Sequence, residues 1–142
     1  MSIAKQRIQA EAATEPVPGM WSNCMKVGDV AYLSGLTARG ADRVTIHGKD
    51  EYEQSREIFT KIKALVEAAG GVIDDVVKMT IFVTDIENNV LVWKARQEFF
   101  GGDFPACTLV EVKSLAKNGN GRILVEIEGV AHIGCSSAAK GR

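Results

Sequence analysis

The sequence predicts an α+β fold: a mixed sheet of five to six strands with two helices packed on one of its faces. Three observations predict it. Ile58, Ile62, Leu65, Val66 and Ala69 form one apolar stripe at helical spacing, and a shorter helical stretch follows at about 88–100. Residues 76–84 and 105–112 alternate in the manner of half-buried strands, and 123–133 is a largely apolar strand-like run. A pair of short extended runs separated by Gly28-Asp29 precedes both helices. With 142 residues, the chain is one domain by length and large enough to bury a core.

In order, residues 1–17 are a mixed polar arm that ends at the Pro18-Gly19 turn signal. Trp21 to Val27 and Val30 to Ser34 read as a hairpin around Gly28-Asp29. Gly35 to Lys49 is a polar loop with room for a short strand at Val44 to His47. Asp50 is a good N-cap, with Glu53 at the capping-box position, and Gly70-Gly71 closes that helix. Val76 to Thr84 reads as a central strand. The second helix, from about Asn88 to Phe100, is expected to turn Val90, Trp93 and Gln97 or Phe100 inward. Pro105 opens the next strand, where a missing N–H costs least. The loop 117–121 contains Asn-Gly steps suited to a reversal. Ile123 to Ile133 is the last strand, and 134–142 is a small, polar tail expected to fray.

Composition narrows the function classes. The chain is 46% apolar and 25% charged with a formal net charge of −1, which gives no overall pull toward nucleic acid or an anionic membrane. It has no apolar run of membrane-spanning length, and Lys5, Arg7 and Glu11 leave no signal-peptide core. Cys24, Cys107 and Cys135 are an odd, widely spaced set, which predicts free thiols and a cytoplasmic location. With no CxxC and only His47 and His132 as imidazoles, a metal site has little support. No phosphate-cradling glycine motif occurs.

Two features carry candidate chemistry. Glu126 and Glu128 share a face inside an apolar strand, and a carboxylate there needs exposure, a partner or a raised pKa. Cys107 at a strand mouth is either a packed small hydrophobe or, given a cation or base, a nucleophile. Trp21 and Tyr32 suit either a core or a pocket wall, and Ser34-Gly35 can offer a hydroxyl and a close backbone N–H. Leu109, Met79, Ile81, Ile123, Val125 and Ile127 are too many to face two helices, so surplus apolar strand surface predicts oligomerisation.

Four ordered blocks resemble the Rid family (reactive intermediate deaminases, also called YjgF or endoribonuclease L-PSP) across Pro18 to Ile133. They are Gly19-Met20-Trp21-Ser22, Tyr32-Leu33-Ser34-Gly35-Leu36, Phe99-Phe100 with Phe104 to Val112, and Leu124 to Ala131. The resemblance implies a chorismate-mutase-like homotrimer of the bacillary type, with a cleft for a small molecule at each subunit interface. It implies hydrolysis of enamines or imines to 2-keto acids and ammonia, without a metal or organic cofactor. By the same alignment Glu126 handles the attacking water, and Trp21, Ser34, Gly35, Cys107 and Thr108 stand at ligand-contacting positions. Two positions depart from the family pattern. Cys107 replaces the arginine that grips a substrate carboxylate, and Leu36 replaces a glutamine. A thiol cannot make the bidentate contact of a guanidinium, a loss worth about two to three decades in affinity. Arg39, Arg43 and Arg122 are candidate replacements. The readings are therefore a Rid-type hydrolase with altered substrate choice, a non-catalytic metabolite-binding trimer, or a thiol-based role for Cys107. A ribonuclease reading finds no basic patch and no catalytic histidine pair.

Overall fold

The computed structural model describes residues 3–116 and 118–136. Lys117 of the 117–121 loop and the expected tail beyond Ser136 lie outside the described residues. Helix α1 (Glu51–Ala68) forms where its caps and stripe coincide. Asp50 is extended at φ −143°, and its side chain accepts a hydrogen bond from the Glu53 N–H at 2.9 Å. Ile58, Phe59, Ile62, Leu65 and Val66 are buried along one face. Gly70, at φ +103°, ends the helix in the left-handed conformation that side chains disfavour.

Helix α2 (Asn89–Phe99) corrects the expected inner face. Val90, Trp93 and Gln97 are exposed, whereas Val92 and Ala95 are buried. Residues 90/93/97 and 92/95/99 both satisfy helical spacing, so pattern alone did not separate them. Packing does: small Ala95 lets the helices approach, and the rings of Phe99 and Phe100 each lie 5.6 Å from that of Phe59 on α1. Phe100, the C-cap residue, is buried as one of the two sequence alternatives had it.

The strands are β1 (Lys5–Ile8), β2 (Cys24–Val27), β3 (Val30–Leu36), β4 (Val76–Val83), β5 (Ala106–Glu111) and β6 (Val125–His132). They form one six-stranded sheet in the order β1-β2-β3-β6-β4-β5. All neighbours are antiparallel except β4 and β5, which run parallel, so the sheet is mixed. Gly28, at φ +57°, makes the β2–β3 turn. The order of elements matches the sequence reading apart from β1, which pairs with β2 from within the segment expected to be an arm. The Val44 to His47 strand does not form. The Asp42 carboxylate takes the N–H groups of Val44 and Thr45 into a turn, leaving one bridge between Arg39 and Ile46. The last strand starts at Val125 rather than Ile123.

The start of the expected tail is anchored. Asp75 accepts hydrogen bonds from the backbone N–H of Gly134 and Ser136 and from the Ser136 hydroxyl, at 2.9, 2.9 and 2.7 Å. Burial would push the Asp75 carboxyl up, but these bonds and one from Val72 N–H hold it below the usual aspartate range.

The apolar surplus also resolves differently. Met79, Ile81, Val125 and Ile127 are all fully buried on the helix side, and Leu109 packs against them. The opposite face of the sheet, which no helix covers, instead carries Tyr32, Thr80, Phe82, Val110, Val130 and the two carboxylates Glu126 and Glu128.

Candidate functional site

The β3–β6 ladder is regular from Val30 to Leu33 and resumes at Leu36 opposite Ile127. The irregularity at Ser34-Gly35 opens space beside β6, and Glu126 uses it. A Cβ on Gly35 would lie 2.7 Å from Glu126 Oε2, so glycine is what allows the carboxylate to fold onto the β3 backbone. Glu126 is half-buried, and burial pushes its pKa above that of an ordinary glutamate, with the charge of Glu128 adding to the rise.

Gly35, Leu36 and Glu126 open onto a cavity of about 510 Å³. Trp21, Met20 and Val17 form an apolar wall from the segment before β2. That segment is fixed by side-chain bonds that sequence patterning does not reveal. Asn23, buried, donates from Nδ2 to the carbonyls of Ala13 and Thr14 at 3.2 and 3.0 Å. The Ser34 hydroxyl donates to the Ser22 carbonyl at 2.5 Å, and the Ser34 N–H to the Asn23 carbonyl at 2.9 Å. Ser34 thus holds the Trp21 turn in place and does not itself line the cavity.

The opposite wall is cationic, with Arg39, Arg43 and Lys61. Lys61 is buried within the apolar stripe of α1, and its ammonium donates to the carbonyls of Thr37 and Arg39 at 2.7 and 2.6 Å. Desolvation pushes its pKa below the ordinary lysine value. A lysine between Ile58 and Ile62, inside an otherwise apolar stripe, is the sequence signal of this wall. Of the three arginines considered as replacement cations, Arg39 and Arg43 line the cavity and Arg122 does not.

Cys107 and Thr108 lie elsewhere. They are on β5 at the sheet edge, with Cys107 beside Met79 and Thr108 beside Thr80 on β4. Cys107 therefore faces the helices, and Glu126, two strands away, faces the other side. Within one chain the structure does not bring Cys107 or Thr108 into the Glu126 cavity. It does bring a cation to Cys107: Arg96 of α2 donates from Nη1 to the thiol sulfur at 3.3 Å. Thr108 accepts a hydrogen bond from Lys78 Nζ at 3.2 Å.

His132 pairs with Val30 at the far end of β3, while His47 sits on the loop leaving its near end, packed against Gly40. The two imidazoles therefore do not converge. Among the described residues no group of three or more His, Cys, Asp or Glu is placed to hold a metal ion, and no helix is long and apolar enough to cross a membrane.

Fold and site together define an α+β domain with a small-molecule-sized cavity at one end of a mixed sheet, holding a protonation-prone carboxylate between apolar and cationic walls. The chain belongs to the endoribonuclease L-PSP family, the Rid family of the sequence blocks, whose model matches residues 12–133. It is 36% identical over 132 residues to a 2-iminobutanoate/2-iminopropanoate deaminase of Dermatophagoides farinae, covering 91% of this chain and 97% of that protein. Among solved structures, a Pseudomonas aeruginosa protein of unknown function superposes with a TM-score of 0.81 at 37% identity, covering 93% and 94% of the two chains. RidA from an Antarctic Psychrobacter superposes with a TM-score of 0.79 at 30% identity, covering 90% and 99%.

Proposed function

We propose that this protein is a Rid-type hydrolase that converts enamines or imines to carbonyl compounds and ammonia, acting as a homotrimer. The observation that carries the reading is Glu126, a carboxylate whose pKa is raised by burial and which is held over Gly35 at the wall of the cavity. Hydrolysis of an imine needs a group that takes and returns protons, and a carboxylate whose pKa burial raises above the ordinary glutamate value is suited to that role. As water adds to the C=N carbon, Glu126 accepts a water proton and the nitrogen is protonated, giving a carbinolamine. Proton transfer from its hydroxyl through Glu126, with protonation of nitrogen, then breaks the C–N bond and releases ammonia and the carbonyl product. The kinship to an iminobutanoate/iminopropanoate deaminase supports the reaction class.

In the trimer, the uncovered sheet faces with Tyr32, Phe82, Val110 and Val130 pack against one another. Thr108, on that face, would then reach an inter-subunit cleft from a second copy, with Cys107 beside it on the edge strand. Cys107 in place of an arginine shifts the substrate away from the smallest imino acids, because the thiol cannot fork onto a carboxylate.

The test is an amino-acid oxidase that generates imines in situ from a panel of amino acids, with imine loss followed against a protein-free control. Acceleration with larger, apolar amino acids is expected. No acceleration with any of them would leave a metabolite-binding role in its place.

A further inference from the structure

We propose that the cavity beside Glu126 selects uncharged imines, those of amines rather than of amino acids, and that Glu15 is the residue that turns a ligand carboxylate away. Such selection deepens the hydrolase reading and rests on it for the reacting C=N group, but it is a property of binding and needs no turnover.

Glu15 belongs to the cavity lining, and both of its carboxylate oxygens are buried without a hydrogen-bond partner among the described residues. Its ion-pair partner Arg7, on β1, stands 3.6 Å away from Nε to Oε1 and turns that same Nε onto Ser22 Oγ at 3.0 Å. A carboxylate buried without hydrogen bonds keeps a field that water does little to screen. The field is felt at Cys24, where burial pushes the thiol up to about 11 and the charge of Glu15 adds to the rise. A ligand carboxylate entering the cavity would meet the same charge as repulsion.

The cations of the lining do not offset this, because each already serves the backbone. Arg43 donates from Nε and Nη2 to the Glu15 carbonyl at 3.1 and 3.0 Å, and Arg39 donates from Nη1 to the Arg43 carbonyl at 3.3 Å. Lys61 donates to the carbonyls of Thr37 and Arg39 at 2.7 and 2.6 Å. Turning any of these donors onto a ligand would leave a carbonyl short of its partner, which offsets the new contact. Cys107 adds no cation, since a thiol stands where the family pattern has an arginine.

Val17, Met20, Trp21, Leu36 and Ala116 make much of the remaining lining apolar. The volume of about 510 Å³ has room for an aromatic or branched body beside the C=N group that Glu126 serves. The ligand class is therefore an N-unsubstituted imine with a large apolar substituent and no carboxylate.

Phenylacetone, the carbonyl counterpart of such an imine, and phenylpyruvate, which carries a carboxylate in place of its methyl group, are titrated calorimetrically into wild type, Glu15→Gln and Arg7→Gln. Wild type is expected to bind phenylacetone more tightly by about 10-fold or more. Glu15→Gln should tighten phenylpyruvate by about 10-fold and close the gap. Arg7→Gln, which removes a positive charge from beside Glu15, should weaken phenylpyruvate by about threefold and widen it. A general defect would move both ligands together. No binding of phenylacetone, equal affinities or a preference for phenylpyruvate in wild type, or a gap unchanged in both variants, overturns the proposal. A preference for phenylacetone with no imine hydrolysed removes the hydrolase alone, and hydrolysis combined with a preference for phenylpyruvate removes the selection alone.

Discussion

The end of the sheet around Glu126 and the edge around Cys107 solve different problems. At the first, a β3 irregularity, a glycine and a loop create a cavity in which a carboxylate is partly desolvated opposite three cations. At the second, a thiol lies on the helix side of an edge strand with one guanidinium against it and no share in that cavity. The difference teaches that proton handling and the thiol are separable within one chain. In the proposed trimer, a neighbouring copy would have to bring them to one substrate.

The comparison breaks most visibly at Gly35. Gly35→Ala sets a Cβ 2.7 Å from the end of a flexible side chain, so Glu126 can swing aside. Stability should change by under about 1 kcal/mol, whereas imine hydrolysis should fall by about 100-fold, as when a general acid–base is displaced. Denaturation midpoints and rates measured on the same preparation check both halves.

Cys107 should behave in the opposite way. Cys107→Ala is expected to keep the rate on large apolar imines within about threefold, under about 1 kcal/mol of barrier. Cys107→Arg should add activity on 2-iminopropanoate. A Cys107→Ala rate lost on every substrate would restore the thiol to the mechanism.

A smaller effect lies in stability against pH. Glu126 has a higher pKa folded than unfolded, so the native state binds more protons in that window and stability falls as pH rises through it. Glu126→Gln removes this term. Its stability relative to wild type should therefore increase as pH rises above the ordinary glutamate range, read from urea midpoints, and level off once Glu126 is ionised in the folded state too. A constant offset across that range would mean that Glu126 is not desolvated.

Helix α1 was legible because an uninterrupted stripe met Asp50 at one end and Gly70 at the other. The face of α2 was not, because two residue sets shared the same spacing and only contacts with Phe59 chose between them. β1 was hidden because Lys5-Gln6-Arg7 is exposed and polar at a sheet edge, where no apolar alternation is needed. Glu126 stood out as a charge inside an apolar strand. Lys61, Arg39 and Arg43 did not, since their convergence depends on α1, β3 and a loop meeting in three dimensions. The face of Cys107 follows from its pairing with Met79, a register that no single strand displays.

The most direct test is the initial rate of imine hydrolysis by Glu126→Gln beside wild type across pH, with imine formed from one large apolar amino acid. Glutamine keeps the shape and removes the proton transfer, so the rate should fall by about 100- to 10,000-fold and lose the acid–base limb that wild type shows. An undiminished rate with an unchanged pH profile would contradict the assignment of Glu126 as the proton-handling group.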